Sequence, residues 1–147
     1  MSTWLITGCS TGLGRHLAQA VLKHGDNAVV TARDAAKVQD LVDAHPHTGL
    51  ALSLDVTDAA QVAAAARQAE ERFGGVDVLV NNAGYGYRAA VEEGDEAEVT
   101  TLFATNFFGP VVDQPGVGSL PANMAAITPP SIKRSLPVTK PASGLSR

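Results

Sequence analysis

A glycine-rich stretch near the amino terminus constrains the fold of this 147-residue chain more than any other feature. It reads Thr7-Gly8-Cys9-Ser10-Thr11-Gly12-Leu13-Gly14 and lies between an apolar run at residues 4–6 and an amphipathic run that begins at Leu13. This order predicts a strand that passes through a glycine turn into the start of a helix. A helix start suits an anionic group, because it presents unpaired N–H groups and the positive end of the helix dipole.

Each glycine of the stretch has its own predicted task. Gly8 lets the chain leave the strand sharply, Gly12 lets the backbone approach a diphosphate, and Gly14 lets the helix and the strand pack closely. The stretch is therefore interpreted as a dinucleotide-binding turn. The alternative is a tight turn that binds no ligand.

The composition excludes several classes of protein. A chain with 45% hydrophobic residues and one domain's length predicts a globular core, and a net charge of −4 gives no attraction to nucleic acid. Cys9 is the only cysteine, which excludes an internal disulfide. No apolar run approaches the roughly 20 residues of a membrane span, the start lacks the basic residues of a signal peptide, and no metal-ligand cluster is present. We expect a cytoplasmic protein without a nucleic-acid or membrane partner.

The chain divides into two parts of different composition near Pro110. Residues 1–109 hold seven basic and fourteen acidic residues, whereas residues 110–147 hold four basic residues, one acidic residue and seven of the eight prolines. Because proline cannot donate a backbone hydrogen bond, this density argues against a long helix or an interior strand. We predict a folded domain over residues 1–109 and a disordered or weakly ordered tail over residues 110–147.

Short apolar runs alternate with amphipathic runs through residues 4–108, which predicts an α/β fold with a parallel sheet. Strands are predicted at residues 4–6, 28–32, 50–54 and 76–80. Helices are predicted to follow each of them, with Gly25 and Gly74 as C-caps and Asp34 and Asp58 as N-caps. The predicted buried faces of the three longer helices are Leu13, Leu17, Val21 and Leu22; Val62, Ala66, Ala69 and Phe73; and Val99, Leu102, Phe103 and Phe107.

Residues 1–109 closely resemble the short-chain dehydrogenase/reductase family, whose members transfer hydride between NAD(P)(H) and alcohols or carbonyls. The resemblance rests on the glycine-rich stretch, on Asp55-Val56 and Asn81-Asn82-Ala83-Gly84 after the third and fourth predicted strands, and on Asn106. It implies an incomplete Rossmann-like, doubly wound parallel sheet of about four strands in the order 3-2-1-4. Strand four would then be an unpaired edge.

The resemblance also implies which residues bind the cofactor. Hydroxyl and N–H groups of the glycine-rich stretch would bind the diphosphate and ribose, Asp55 would accept a hydrogen bond from the adenine amino group, and Val56 would pack on the ring. The loop after strand four would line the ribose and adenine, while the Asn81 amide would tie neighbouring strands together. The predicted cofactor-binding residues are Gly8, Ser10, Thr11, Gly12, Leu13, Gly14, Arg33, Asp55, Val56, Asn82, Ala83 and Gly84.

The end of the second predicted strand bears on the choice of cofactor. Ala32-Arg33 offers a small residue and a guanidinium that can bind a 2′-phosphate, which favours NADP(H) over NAD(H). Asp34 is the counter-evidence, because its carboxylate could pair with Arg33 or approach the ribose. We expect Asp34 to cap the next helix instead.

The resemblance assigns one catalytic residue in this chain, Asn106, which in the family kinks its helix and exposes a carbonyl that holds a water of the proton relay. The family's substrate-orienting serine and its Tyr-x-x-x-Lys pair have no counterpart, because both tyrosines, Tyr85 and Tyr87, precede Asn106. A phenol with a pKa near 10 relays protons poorly at neutral pH without a neighbouring ammonium.

We therefore interpret the chain as an NADP(H)-dependent oxidoreductase by resemblance that is inactive as given. A small alcohol or carbonyl substrate would require the missing part, and a shifted reading frame near Pro110 would account for the change in composition. The alternatives are a non-catalytic NADP(H)-binding module and an unstable fragment without activity. The substrate and the oligomeric state stay open.

Overall fold

The structure, a computed structural model, describes residues 1–111 and 125–127. Its centre is a parallel sheet in the strand order β3-β2-β1-β4-β5. The strands are β1 (Thr3–Ile6), β2 (Asn27–Ala32), β3 (Gly49–Ser53), β4 (Val78–Val80) and β5 (Ala125–Ile127). The disordered tail predicted for residues 110–147 falls for the most part outside the described residues.

Helices connect the strands in sequence order. They are α1 (Gly12–His24), α2 (Gln39–Asp43), α3 (Ala59–Phe73), α4 (Glu96–Phe103) and α5 (Gly109–Val111), with 3₁₀ turns at Ala35–Lys37 and Val91–Glu93 and a π-helical turn at Ala104–Phe108. The predicted caps are confirmed. Gly25 and Gly74 end α1 and α3 with φ of +94° and +82°, and the Asp58 carboxylate accepts hydrogen bonds from the first turn of α3.

The core lies in two layers, one on each face of the sheet. Ile6 and Val30 face α1 and α2, whereas their strand neighbours Leu5 and Val29 face α3, because successive strand residues point to opposite faces. All four side chains are buried. The predicted class, a Rossmann-like doubly wound parallel sheet, is confirmed.

The fifth strand corrects two predictions. The sequence predicts no strand beyond Pro110, but β5 pairs with β4 in parallel, with Val78 opposite Ala125 and Val80 opposite Ile127. Strand β4 is therefore not an unpaired edge. Residues 125–127 contain no proline, so each can donate to the ladder, and the many prolines around this short run conceal it in the sequence.

The predicted helix faces are partly wrong. Leu13, in the first turn of α1, is 77% exposed, and Ala65 rather than Ala66 is fully enclosed in α3. Phe103 and Phe107 were predicted as core residues but are 50% and 43% exposed. The sequence pattern correctly indicates an apolar face on this helix, but within the described residues no element covers it.

Candidate functional site

An open cleft of about 800 Å³ lies where β1 to β4 end. Eleven of the twelve predicted cofactor-binding residues line it; Gly14 does not, and neither does Asn106. Ala32, which the sequence places beside Arg33 at the cofactor-selecting position, also lines the cleft. The cleft-lining residues that the sequence did not indicate are Leu54, Thr57, Tyr85, Glu98, Thr101 and Thr105. Glu98, Thr101 and Thr105 are spaced three and four residues apart, which places them on one helix face and could have indicated a polar wall. The apolar residues between them indicated a buried face instead.

Two glycines allow the turn after β1 to approach the loop after β4. Gly8 has φ +71°, and a Cβ atom there would lie 2.7 Å from Ala83 Cα. A Cβ at Gly14 would lie 2.7 Å from the Gly8 carbonyl oxygen and would overlap the Asn82 amide. Gly14 therefore serves close packing, as predicted, although its partners are the two loops rather than the strand.

Hydrogen bonds lock the same two loops together. Thr7 Oγ1 accepts hydrogen bonds from the backbone N–H groups of Asn82 (3.0 Å) and Ala83 (2.9 Å). The Asn82 side-chain amide in turn donates to the carbonyl oxygens of Thr7 (2.9 Å) and Gly8 (3.1 Å). The sequence predicts this tie for Asn81, whereas in the structure Asn82 makes it.

The start of α1 faces the cleft without an acidic neighbour. Thr11 is its N-cap, yet the Thr11 hydroxyl makes no capping hydrogen bond, and the first turn contains no acidic residue. Residues 10–13 line the cleft. This end of the helix can therefore bind an anionic group such as a diphosphate.

The end of β2 places a cation in the cleft. Arg33 lines the cleft and is exposed, and its guanidinium makes no hydrogen bond or ion pair with any other described residue. Asp34 does not line the cleft, and its Oδ1 accepts a hydrogen bond from Ala36 N at 3.0 Å, which caps the following 3₁₀ turn. The predicted capping role of Asp34 is confirmed.

The end of β3 holds a carboxylate in a fixed position. Asp55 Oδ1 accepts hydrogen bonds from Thr57 N (2.9 Å) and Thr57 Oγ1 (2.7 Å), and Asp55 N donates to Gln61 Oε1 (2.9 Å). Asp55 and Val56 both line the cleft. These bonds use one oxygen of the carboxylate, so the other can accept a hydrogen bond from a ligand.

Asn106 does not line the cleft, but its side chain holds the backbone of Tyr85, which does. Its Oδ1 accepts a hydrogen bond from Tyr85 N (3.1 Å), and its Nδ2 donates to Tyr85 O (2.7 Å). Asn106 lies in the π-helical turn, where the helix departs from α geometry. Its role in a proton relay stays a prediction.

Cys9 belongs to the glycine-rich stretch but not to the cleft. It is fully buried, and its Sγ donates to Ile6 O at 3.2 Å. Burial raises the pKa of the Cys9 thiol to about 11, so the thiol stays protonated at neutral pH. Cys9 is therefore a core residue and not a nucleophile.

Residues 1–111 and 125–127 provide neither a helix that could span a membrane nor a cluster of metal ligands. No helix in this part of the chain is long and apolar enough to span a membrane. The same residues include no group of three or more His, Cys, Asp or Glu side chains that could hold a metal ion.

Comparisons with known proteins agree on one family. A family model described as "short chain dehydrogenase" matches residues 2–114. The protein named oxidoreductase calM, from Penicillium decumbens, is 43% identical over 114 residues, which are 75% of this chain and 37% of that protein.

Solved structures give the same result. A 3-ketoacyl-(acyl-carrier-protein) reductase from Brucella melitensis, complexed with NADH, is 33% identical with a TM-score of 0.69, covering 74% of this chain and 45% of that chain. An alcohol dehydrogenase from Thermococcus sibiricus, complexed with 5-hydroxy-NADP, is 32% identical with a TM-score of 0.69, covering 75% and 48%. The chain thus spans less than half the length of each of these relatives.

Proposed function

Because the chain belongs to the short chain dehydrogenase family, we propose that its cleft binds NADP(H), the hydride carrier for converting an alcohol or a carbonyl compound. The start of α1 and the Arg33 side chain lie on the same cleft, and this placement carries the proposal. One would bind the diphosphate and the other the 2′-phosphate. Asp55 and residues 82–84 would then hold the adenosine between them.

The contacts of the two charged residues after β2, Arg33 and Asp34, support a preference for NADP(H) over NAD(H). Selection of NAD requires a carboxylate that accepts a hydrogen bond from the ribose 2′-hydroxyl. The Asp34 carboxylate is engaged in its cap and lies outside the cleft, whereas the Arg33 guanidinium is free for a phosphate. The two solved relatives described above contain NADH and 5-hydroxy-NADP, so they support a nicotinamide dinucleotide without deciding between the two forms.

We further propose that this polypeptide binds the cofactor without turning it over. Bound NADPH would supply a hydride, but the printed sequence has no Tyr-x-x-x-Lys pair to supply the proton. The Tyr87 hydroxyl accepts a hydrogen bond from Asp95 N at 2.8 Å, which gives that phenol a structural task. Tyr85 lines the cleft, but Ala89 and not lysine lies four residues beyond it.

The test is a titration of the full chain with NADPH and NADH, followed by ligand fluorescence and by melting temperature. We expect tighter binding of NADPH and a loss of about tenfold or more for NADPH in Arg33→Ala, because charge-assisted hydrogen bonds to the 2′-phosphate are lost. NADH binding should change less than about twofold. Arg67→Ala, an exposed arginine on α3, is the matched control for the change in net charge.

Three results would contradict parts of the proposal. Equal binding of NADH and NADPH would exclude selection by Arg33, and no stabilisation by either cofactor, with no cooperative melting, would favour an unstable fragment. Oxidation of NADPH in the presence of aldehydes or ketones would exclude the proposal that this polypeptide binds the cofactor without turning it over. The cytoplasmic location and the alcohol or carbonyl class of the substrate stay predictions from the sequence, which makes no prediction of the oligomeric state.

A further inference from the structure

Arg15 joins the helix that begins in the cleft to the segment that follows Arg33. Its Nη1 donates to the carbonyl oxygen of Lys37 at 3.1 Å, and its Nη2 pairs with the Asp40 carboxylate. Arg15 lies in the first turns of α1, Lys37 ends the 3₁₀ turn, and Asp40 lies in α2. A single guanidinium therefore contacts two successive elements of the neighbouring segment.

Other contacts attach this segment to the sheet and to the core layer that α1 also joins. Ala35 N donates to Ser53 Oγ at 3.2 Å, and the Val38 side chain is fully buried. Arg33, two residues before Ala35, is exposed and has no side-chain partner of its own among the described residues. Its position relative to α1 is therefore determined by its neighbours. Val38 packs in the core layer that α1 joins, and Arg15 adds side-chain hydrogen bonds from α1 to the segment.

We propose that Arg15 is a positioning residue that sets the selectivity of the cleft for a 2′-phosphate. This inference rests on the proposed binding of NADP(H). The two phosphate groups of the ligand's adenosine end are joined by one ribose, so the start of α1 and Arg33 must be held at a matching separation to bind both. The planar guanidinium of Arg15 suits this task because its donors have fixed directions.

The ion pair with Asp40 also determines where the charge of Arg15 lies. Arg15 does not line the cleft, and its pairing with Asp40 directs its charge toward α2. Arg15 therefore acts on selectivity through the position of Arg33 and not by binding a phosphate itself. The geometry accordingly predicts that Arg15 matters only when the ligand carries a 2′-phosphate.

The experiment compares adenosine 2′,5′-bisphosphate with AMP, which differ only in the 2′-phosphate, by calorimetric titration of the full chain. In Arg15→Gln and in Asp40→Asn we expect the affinity for the bisphosphate to fall about threefold to tenfold, with AMP binding changed less than about twofold. In an Arg33→Ala background, Arg15→Gln should produce no further loss. Arg15→Lys, which keeps the charge but not the two-donor fork, should lose as much as Arg15→Gln. Arg67→Gln is the matched control for charge.

The outcomes separate this inference from the proposed function. Equal losses for both ligands, unchanged selectivity in Arg15→Gln, full retention in Arg15→Lys, or tighter binding of both ligands in Asp40→Asn would overturn the positioning role. An Arg33→Ala variant with unchanged selectivity, or a parent chain that binds neither ligand, would overturn the proposed NADP(H) site itself. Melting temperatures of all variants identify any that lose the fold, and Asp40→Asn, on the exposed partner, tests the bridge from its other side.

Discussion

At the scale of single residues, the clearest requirement is the absence of a side chain at position 8. Gly8 combines a positive φ with a backbone neighbour, Ala83, that cannot move away without shifting the loop after β4. The sequence analysis predicted a sharp turn at this glycine. It could not predict the second requirement, because Ala83 is far away in sequence and the contact exists only after β1 and β4 have paired.

Replacing Gly8 by alanine tests this close approach. We expect Gly8→Ala to lower the free energy of unfolding by about 2–4 kcal/mol, from left-handed backbone strain and overpacking together. Gly25→Ala is the control, since Gly25 has φ +94° but open space around it, and it should lose only about 1–2 kcal/mol. Urea unfolding measures both variants, and equal losses would exclude the contact with Ala83 as a cause.

Cys9 gives the folded chain a specific sensitivity to alkaline pH. The pKa of the buried thiol is raised to about 11 from an ordinary value of 9.0, so the unfolded chain releases this proton first as pH rises. Between these two values the folded state binds more protons, and the free energy of unfolding should fall by about 1.4 kcal/mol per pH unit from this group. Below pH 9 the group should contribute no pH dependence.

The measurement is a series of urea unfolding curves at several values of pH from 8 to 11, for the parent chain and for Cys9→Ala. The alanine variant loses stability by leaving a small cavity, but it should also lose the part of the alkaline slope that the thiol contributes. Other groups that titrate in this range are common to both chains, so the difference in slope isolates Cys9. Identical slopes would contradict the prediction.

At the scale of secondary-structure elements, Thr7 determines how the ends of β1 and β4 meet. Its buried hydroxyl oxygen accepts two backbone hydrogen bonds from the loop that lines the cleft. The N–H group of Asn82 also donates to Val80 O at 3.0 Å, but that of Ala83 depends on the Thr7 side chain, which follows β1 and lies 76 residues earlier in the sequence. A change at Thr7 should therefore disturb the cleft loop as well as the strand end.

Replacing Thr7 by valine keeps the shape of the side chain and removes the acceptor. We expect Thr7→Val to cost about 1–3 kcal/mol of unfolding free energy, because the partly buried N–H group of Ala83 loses its partner, whereas that of Asn82 keeps the Val80 carbonyl oxygen. Thr7→Ser keeps the hydroxyl and should lose about 1 kcal/mol for the missing methyl group. Amide hydrogen exchange at Ala83 should accelerate in the valine variant only, and unchanged protection there would contradict the assigned role.

The elements that the sequence predicts well are those whose pattern is local. Strands β1 to β3 and helices α1 and α3 carry their own apolar periodicity and caps, and their bounds agree with the predictions to within two residues. The cleft followed from the same information, because the ends of parallel strands meet at one edge of the sheet. The capping role of Asp34 could likewise be predicted, because it depends only on the residues beside it.

The missed features depend on contacts between distant parts of the chain. Strand β5 is three residues long and has no periodicity of its own, so only its pairing with β4 identifies it. The Asn82 amide rather than that of Asn81 ties the loops, which depends on which side chain points toward Thr7. The exposure of Phe103 likewise depends on what packs over α4, and this information is not present in the amphipathic pattern.

At the scale of the whole molecule, the packing is unevenly distributed. The fully buried side chains belong to the sheet, to α1, α2 and α3 and to residues that flank these elements, such as Cys9 and Val38, whereas no residue between 81 and 110 is buried. A region with few buried apolar contacts opens at a lower free-energy cost than the core does. The cleft therefore has one firm wall, formed by the glycine-rich turn, and one weaker wall, formed by α4 and the loop before it.

The exposed apolar face of that weaker wall should govern how the chain behaves at high concentration. Val99, Phe103, Phe107 and Phe108 are each 40% to 51% exposed, and the Phe107 ring contacts those of Phe103 and Phe108 edge to face at centroid distances of 6.5 Å and 5.3 Å. A contiguous apolar patch of this kind promotes association, because contact with another surface removes it from water.

We expect the parent chain to associate as its concentration rises and Phe103→Ser to associate distinctly less, because the change removes the ring that α4 contributes to the cluster. Sedimentation velocity over a tenfold range of concentration measures this, with the fluorescence of a bound apolar dye as a second readout. Val91→Ser is the matched control, since Val91 is 94% exposed but lies outside the cluster. If both variants reduce association equally, general surface hydrophobicity and not the aromatic face drives it; if neither does, the association surface lies elsewhere in the chain.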